Sequence, residues 1–388
     1  MLRRVAFMLM ILIMVCTAVS GMAAVQDTST QSMMEQALNA ARQEDWETAV
    51  PLFEQAAEKG NIDAQNWLGM IYLEGYGVKK SAKKAAEYYR MAADQGSAEG
   101  QYELGIMYLN GEGVELSEEK GAEYIRLAAE QGNPEYICVL GYCYANGNGV
   151  EQCPEKAAEY YRQAADQGVA RAQYELAHLY FTGEGVEQSD EKAVEYVRMA
   201  ADQGDLPSVY LLGFCYFHGR GVEQSTEKGV EYLQAAADQG YAEAQYELAI
   251  LYREGTVVTQ SDEKYIGYLR EAAGQGYADA LYQLAYCCEK GEGVPQSWEM
   301  AEIFYTAAAY KGHAWAQTNL AGMYCEGLGV KQSYEQALMF YKMAAAQGES
   351  IALRNLAVMY EEGHGVEKSP EKAAEYYRLA EEAEKEGH

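Results

Sequence analysis

One period governs this chain. The block Leu68-Gly69-Met70-Ile71-Tyr72-Leu73-Glu74-Gly75-Tyr76-Gly77-Val78 returns every 36 residues, with Leu at 104, 140, 176, 212, 248, 284, 320 and 356. Gly75 and Val78 return at every step as well, as far as Gly363 and Val366. Nine repeats, starting at 61, 97, 133, 169, 205, 241, 277, 313 and 349, fill residues 61–384 without insertion or deletion. This constrains the fold more than any other property. A 36-residue piece cannot bury a core alone, so the copies must stack in line and share one. A length of 388 residues would otherwise suggest two or three domains.

Each repeat reads as two helices. In the first, Leu68 and Tyr72 fall four apart on one face, and a small residue at Gly69 permits close approach. Gly75 is placed to end that helix in a left-handed conformation. Ser81 then precedes Ala82-Lys83-Lys84-Ala85-Ala86-Glu87-Tyr88-Tyr89-Arg90-Met91-Ala92-Ala93, a strong helix former with serine as its N-cap. The expected class is all-α. A second period of 72 lies over the first: Gln101-Tyr102-Glu103-Leu104 returns at 173 and 245, and Cys143, Cys215 and Cys287 share one slot.

The Leu-Gly-x-x-Tyr-x-x-Gly-x-Gly-Val and Lys-Ala-x-x-Tyr-Tyr-x-x-Ala-Ala blocks, at a step of 36, resemble the Sel-one-like repeats, relatives of tetratricopeptide repeats. The resemblance implies a right-handed α-solenoid, a superhelix of helix-turn-helix repeats, and adaptor work between proteins. Residues 34–60, with Trp46, Leu52 and Phe53, look like a tetratricopeptide-style N-terminal cap behind a linker at 25–33. Glu381, Glu382 and Glu384 suit a solvated C-terminal end, with 385–388 as a polar tail. Departures are few: Val257 replaces a loop glycine, Cys288 replaces the tyrosine, and Met300 and Gln336 replace the lysine of repeats seven and eight.

Residues 1–24 read as an address. Arg3 and Arg4 precede an uncharged run from Val5 to Val19, and small residues follow at Ser20-Gly21-Met22-Ala23-Ala24. This is the pattern of a secretory signal cut near Ala23 or Ala24, giving a periplasmic or secreted protein. An inner-membrane anchor over residues 5–24 is the alternative. The charge balance, 30 Lys plus Arg against 59 Asp plus Glu, gives a net −29. Such a chain repels phosphate backbones and anionic headgroups, so nucleic-acid and peripheral membrane binding are disfavoured.

Several motifs look catalytic until the period is applied. Ser-x-x-Lys, as in penicillin-interacting enzymes, occurs at Ser81, Ser117, Ser189, Ser225, Ser261 and Ser369, always in the same slot. A nucleophile is needed once, whereas a helix cap is needed in every repeat, and no Ser-Asp-Asn or Lys-Thr-Gly partner exists. The Gly-x-Gly-Val loops lack the Gly-Lys-Ser/Thr of a phosphate cradle. The five histidines, at 178, 218, 313, 364 and 388, have no metal-ligand spacing, so neither metal nor cofactor is expected. Cys143, Cys215 and Cys287 lie two repeats apart, roughly 20 Å at helix-packing distances, too far to form disulfides with one another. Resemblance implies one enzymatic alternative: a few members of the secreted cysteine-rich branch are described as β-lactam-interacting hydrolases. That branch carries a regular cysteine pair in each repeat, which is missing here.

What remains is surface. If the repeats stack as tetratricopeptide relatives do, the first helices line the concave side through the slots at 66, 70 and 73. The first slot holds Tyr102, Tyr174, Tyr210, Tyr246 and Tyr282. The second holds Ile106, Tyr142, His178, Phe214 and Tyr286, and the third Phe181 and Phe217. Spacings of four and three place them on one helical stripe. The stripe is either packing between repeats or a groove for a protein or peptide, and the acidic exterior would favour a basic one. The expected molecule is a monomeric, non-enzymatic, exported scaffold.

Overall fold

The structure, a computed structural model, describes residues 28–386. The expected signal or anchor over residues 1–24 lies outside the described residues. The described chain is all helix, twenty in number, and divides into two compact units.

The first unit spans the described residues up to 169, with 184–186. It opens with α1 (Thr28–Arg42) and α2 (Trp46–Glu58), which cover the stretch expected as a cap. Helix α1 begins inside the stretch expected as linker, because residues 28–33 continue its periodicity and Thr30 is buried. Three repeats follow as α3 (Ile62–Glu74) with α4 (Ala82–Asp94), α5 (Ala98–Asn110) with α6 (Glu118–Ala129), and α7 (Pro134–Asn146) with α8 (Pro154–Ala165). The second unit holds α9 (Ala170–Thr182), α10 (Asp190–Ala201), α11 (Leu206–His218), α12 (Thr226–Asp238), α13 (Ala242–Glu254) and α14 (Asp262–Gly274). It continues with α15 (Ala278–Lys290), α16 (Trp298–Tyr310), α17 (Ala314–Glu326), α18 (Tyr334–Ala345), α19 (Ser350–Glu362) and α20 (Pro370–Glu386), the last running into the expected tail.

Local chemistry sets these boundaries. In all six Ser-x-x-Lys motifs the serine Oγ accepts the amide of the lysine three residues on, as Ser189 Oγ does from Lys192 N at 3.3 Å. The lysine side chain serves a different neighbour: Lys84 Nζ stands 4.5 Å from the centroid of the Tyr72 ring, and Lys264 Nζ 4.6 Å from that of Tyr252. The motif is thus a cap plus a cation–π contact. Gly149 turns the loop at φ +71°, and a Cβ there would sit 1.9 Å from the Glu118 carbonyl oxygen, so only glycine lets the loop lie on α6.

Two recurring contacts tie the first helix of a repeat to its second. One uses many of the tyrosines: in most repeats a first-helix ring stacks on a second-helix ring, as Tyr72 on Tyr88 at 5.6 Å and Tyr216 on Tyr232 at 5.5 Å. The other is polar. Gln173 and Gln317, each 1 % exposed, are hydrogen-bonded by Gln203 at 2.8 Å and Gln347 at 2.9 Å. These pairs satisfy buried amides that would each otherwise cost about 1–3 kcal/mol. Leu68, Leu104 and Leu140 in the first unit, and Leu176, Leu212 and Leu248 in the second, are all at most 2 % exposed and belong to the core of their own unit.

Candidate protein-binding face

The slot at residue 66 lies near the start of each first helix, one turn in, and faces the start of the next first helix. In the first unit Tyr102 stacks on Tyr136 at 4.5 Å, and Asn66 donates to Ser97 Oγ at 2.9 Å. In the second unit the same slot recurs with an aromatic partner at the start of the next repeat. Tyr210 meets Tyr241 at 5.6 Å, Tyr246 meets Tyr277 at 5.4 Å, and Tyr282 meets His313 at 4.4 Å and Trp315 at 5.9 Å. All of these tyrosines are partly buried: one ring face is packed on the next repeat, and part of the ring remains in solvent. Trp315 is 59 % exposed.

Tyr241 and Tyr277 are in an unusual place. Each is the N-cap of its first helix and makes no side-chain cap bond, whereas Ser97 and Asp205 in the same slot accept the amide three residues on. Losing such a cap costs about 0.5–2 kcal/mol. What replaces it is ring contact across the repeat boundary.

Carboxylates surround these rings. Tyr210 is pushed up to about 12 by loss of solvent and by Glu247 and Glu243. Tyr241 is also pushed up to about 12, by loss of solvent, then Glu243, Tyr174 and Tyr210, with Asp205 adding to it. Tyr277 is raised further, by burial and by Asp279. Glu247 itself is raised, by burial and then by Asp279 and Glu254. His313 Nε2 lies 3.3 Å from Asp279 Oδ1, yet burial outweighs that carboxylate and lowers the imidazole. The tyrosines therefore stay neutral hydroxyls in a negative field.

The structure separates the residues expected on the stripe. Tyr174, Tyr210, Tyr246 and Tyr282 come together in the second unit, and Tyr102 keeps the same setting in the first. Tyr142 and Phe214 are exposed, at 46 % and 40 %, and His178 is exposed too. Ile106 and Tyr286 are partly buried, with Lys290 Nζ 5.6 Å from the Tyr286 ring. The third slot differs. Phe181 is only 6 % exposed, with the Arg220 guanidinium 4.2 Å from its centroid, and the Phe217 ring fills the space where a Cβ on Gly229 would stand. Both work as packing between helices in this structure.

Tyr136, Tyr241, Tyr277, His313 and Trp315 were not in the expected stripe. The signal that could have found Tyr241 and Tyr277 is two successive aromatic residues at a slot held by Asn61, Ser97, Asn133 and Asp205 in four other repeats, although Val169 also breaks that slot. Among the described residues no His, Cys, Asp or Glu cluster is arranged to hold a metal, and no helix is long and apolar enough to cross a membrane. The structure joins none of the seven described cysteines in a disulfide.

The profile of the Sel1 repeat family matches ten segments: 47–61, 62–97, 98–133, 134–169, 170–205, 207–241, 242–277, 278–313, 316–349 and 350–384. Among solved structures, the chain resembles c5321, described as a protective antigen of uropathogenic Escherichia coli with an SLR fold. Identity is 32 % over 95 % of this chain and 79 % of that one, with a TM-score of 0.61. A Sel1 repeat protein from Oxalobacter formigenes is 28 % identical over 88 % of this chain and 99 % of that one, with a TM-score of 0.60. No curated protein matches the sequence.

Proposed function

The chain belongs to the Sel1 repeat family, whose repeats generally build protein–protein interaction scaffolds, and we propose that this one is an exported scaffold holding a basic, extended segment of a partner protein. Its N-terminal sequence is the ground for export. The binding surface is the first-helix face of residues 174–315, where Tyr174, Tyr210, Tyr241, Tyr246, Tyr277 and Tyr282 lie among Asp205, Glu243, Glu247 and Asp279.

One observation carries the reading. Tyr241 and Tyr277 occupy helix caps without capping, so the sequence gives up local stability there and gains aromatic surface. Neutral tyrosine rings beside carboxylates suit lysine and arginine. The rings offer cation–π contact worth about 0.5–2 kcal/mol each. The carboxylates give the attraction its sign, and the net −29 steers a cationic segment from a distance. Extended peptide suits a surface that repeats along the stack, because each partner residue or pair meets an equivalent slot.

The test compares the protein with a Tyr241→Asn, Tyr277→Asn variant, which restores capping side chains while removing both rings. A dodecapeptide alternating Lys and Arg with Gly, carrying a fluorophore, is titrated against each, beside an acidic peptide of equal length. We expect the basic peptide to bind, the acidic one not to, and the variant to lose roughly tenfold or more in affinity. Equal binding of both peptides, or an unchanged variant with wild-type helicity, would reject the reading.

A further inference from the structure

The second helices also carry a pattern, and it fails in all three slots only in repeats seven and eight. Three outward slots, at residues 84, 87 and 94, are charged through most of the chain. The first is lysine in seven of nine repeats, the second glutamate in six, and the third aspartate or glutamate in six. In repeats seven and eight all three charges disappear together. Met300, Ile303 and Tyr310 take the slots on α16, and Gln336, Met339 and Ala346 take them on α18. The apolar side chains remain in solvent: Met300 is 42 % exposed, Ile303 55 %, Tyr310 69 % and Met339 39 %. The two helices are neighbours, with the Tyr310 ring 6.0 Å from Phe340. Elsewhere the exposed large apolar residues of second helices, Met91 and Met199, stand singly.

We propose that this patch is the interface through which two copies of the chain pair. Two arguments select a second copy over other occupants. First, a chain of net −29 repels its own kind, and only here do all three outer slots lose charge in successive repeats, with apolar side chains in most of them; repeat six puts Gly267 and Gly274 in the acidic slots but keeps Lys264. Second, the charges left around the patch are segregated by helix end. Glu299 and Glu335 sit in the first turns of α16 and α18, and Lys311 and Lys342 at their ends, all exposed. A twofold axis across the patch sets each helix antiparallel to its counterpart. It lays the acidic start of one copy on the basic end of the other, which makes the surface complementary to itself. Met300, Ile303, Tyr310 and Met339 then fill the middle, and aromatic and methionine side chains are those enriched in interface cores.

Sedimentation velocity of the full chain over a range of micromolar concentrations tests this. We expect a concentration-dependent dimer. Ile303→Glu with Met339→Glu restores the glutamate that six repeats carry, so it suits the fold. It should weaken self-association roughly a hundredfold or more, with unchanged helicity and unchanged binding of the basic peptide, which separates this surface from the peptide-binding face. Lys311→Glu with Lys342→Glu should also weaken the dimer, and adding Glu299→Lys and Glu335→Lys should restore it. A chain monomeric at every concentration overturns the proposal, including one that captures a different protein on this patch. So does a dimer that survives the glutamate pair.

Discussion

Glu99 is a carboxylate that the fold holds in an unfavourable place, and replacing it tests the electrostatics of the first unit. It lies in the first turn of α5, partly buried, beside Asn66, Glu103 and, on α3, Asp63. Burial raises it most, the charges of Glu103 and Asp63 add to that, and the Asn66 amide, donating to Oε2 at 3.1 Å, opposes them, leaving it at about 7. Tyr89 and Tyr136 are in reach of its charge, and no cation raises or lowers it. Asn66 itself is 5 % exposed and its Oδ1 has no partner, so a neutral donor at residue 99 would find an acceptor on the same amide. The displacement from 4.5 to about 7 corresponds to roughly 3.4 kcal/mol at 1.36 kcal/mol per unit. The carboxyl keeps some contact with water, so about 1–2 kcal/mol is the expected share. The sign follows from linkage: the folded state binds the proton more tightly, so the stability linked to it is complete below about 4.5 and is lost as pH rises through about 7. Glu99→Gln, uncharged at all pH, should therefore be more stable than wild type by about 1–2 kcal/mol at pH 8. The two should converge as pH falls to 5. Urea unfolding followed by circular dichroism at intervals from pH 5 to 8 measures the difference. A gap that is constant across this range, or a variant less stable at pH 8, would refute the argument.

Other outcomes follow from loops and thiols. Gly149→Ala must place a Cβ 1.9 Å from the Glu118 carbonyl at φ +71°, and should lower stability by about 2 kcal/mol or more. Gly96→Ala, at φ +88° with nothing within 4 Å, carries only the backbone term of about 1–2 kcal/mol; thermal melts of the pair separate clash from strain. Native protein exposed to a thiol reagent at pH 8 should react at Cys153 first and Cys325 more slowly. Burial holds Cys143 and Cys215 up to about 11, and Cys138, Cys287 and Cys288 are buried as well, so these should react only on unfolding. Mass spectrometry of the labelled peptides reads the order, and early labelling of Cys215 would contradict the packing.

How much of this was legible in the sequence depends on whether a residue's role repeats. The helix pairs, the serine caps and the glycine turns do the same work in every copy, so period and residue type together located them. That Ser189 caps its helix at Lys192 follows from residue type and period alone. The tyrosine surplus was visible, but its use was not. Tyr88 and Tyr89 are adjacent, and only the fold tells that Tyr88 stacks on Tyr72 while Tyr89 fills the space beside Gly69. The stripe over slots 66, 70 and 73 was read from the spacing of one helix, which gives no account of the helix packed next to it. Hence Phe181 and Phe217 shared a stripe with Tyr210 on paper, and the structure gives their rings to Arg220 and Gly229. Tyr241 and Tyr277 escaped because a cap slot is ordinarily judged by what it does for its own helix.

The same contrast shows where function is to be sought in a chain of copies. A residue that recurs in every repeat serves the stack, since stacking is what all repeats have in common. A residue that breaks the pattern in consecutive repeats, at a cost to local structure or solubility, serves something the stack does not need. Tyrosines at two successive caps give up two capping bonds, and apolar side chains at the outer slots of two successive second helices expose surface that six charges would have kept soluble. Both departures lie in the second unit, between residues 241 and 346. The first unit, with its outer slots intact at Lys84, Glu87 and Asp94, Lys120, Glu123 and Glu130, and Lys156, Glu159 and Asp166, has no counterpart to the second patch. Transplanting Met300, Ile303 and Tyr310 into repeat two, as Lys120→Met, Glu123→Ile and Glu130→Tyr, should therefore create a new self-associating surface on a molecule whose native one has been closed with Ile303→Glu and Met339→Glu. Failure to associate would mean that the charged helix ends of repeats seven and eight, not the apolar centre alone, define the pairing.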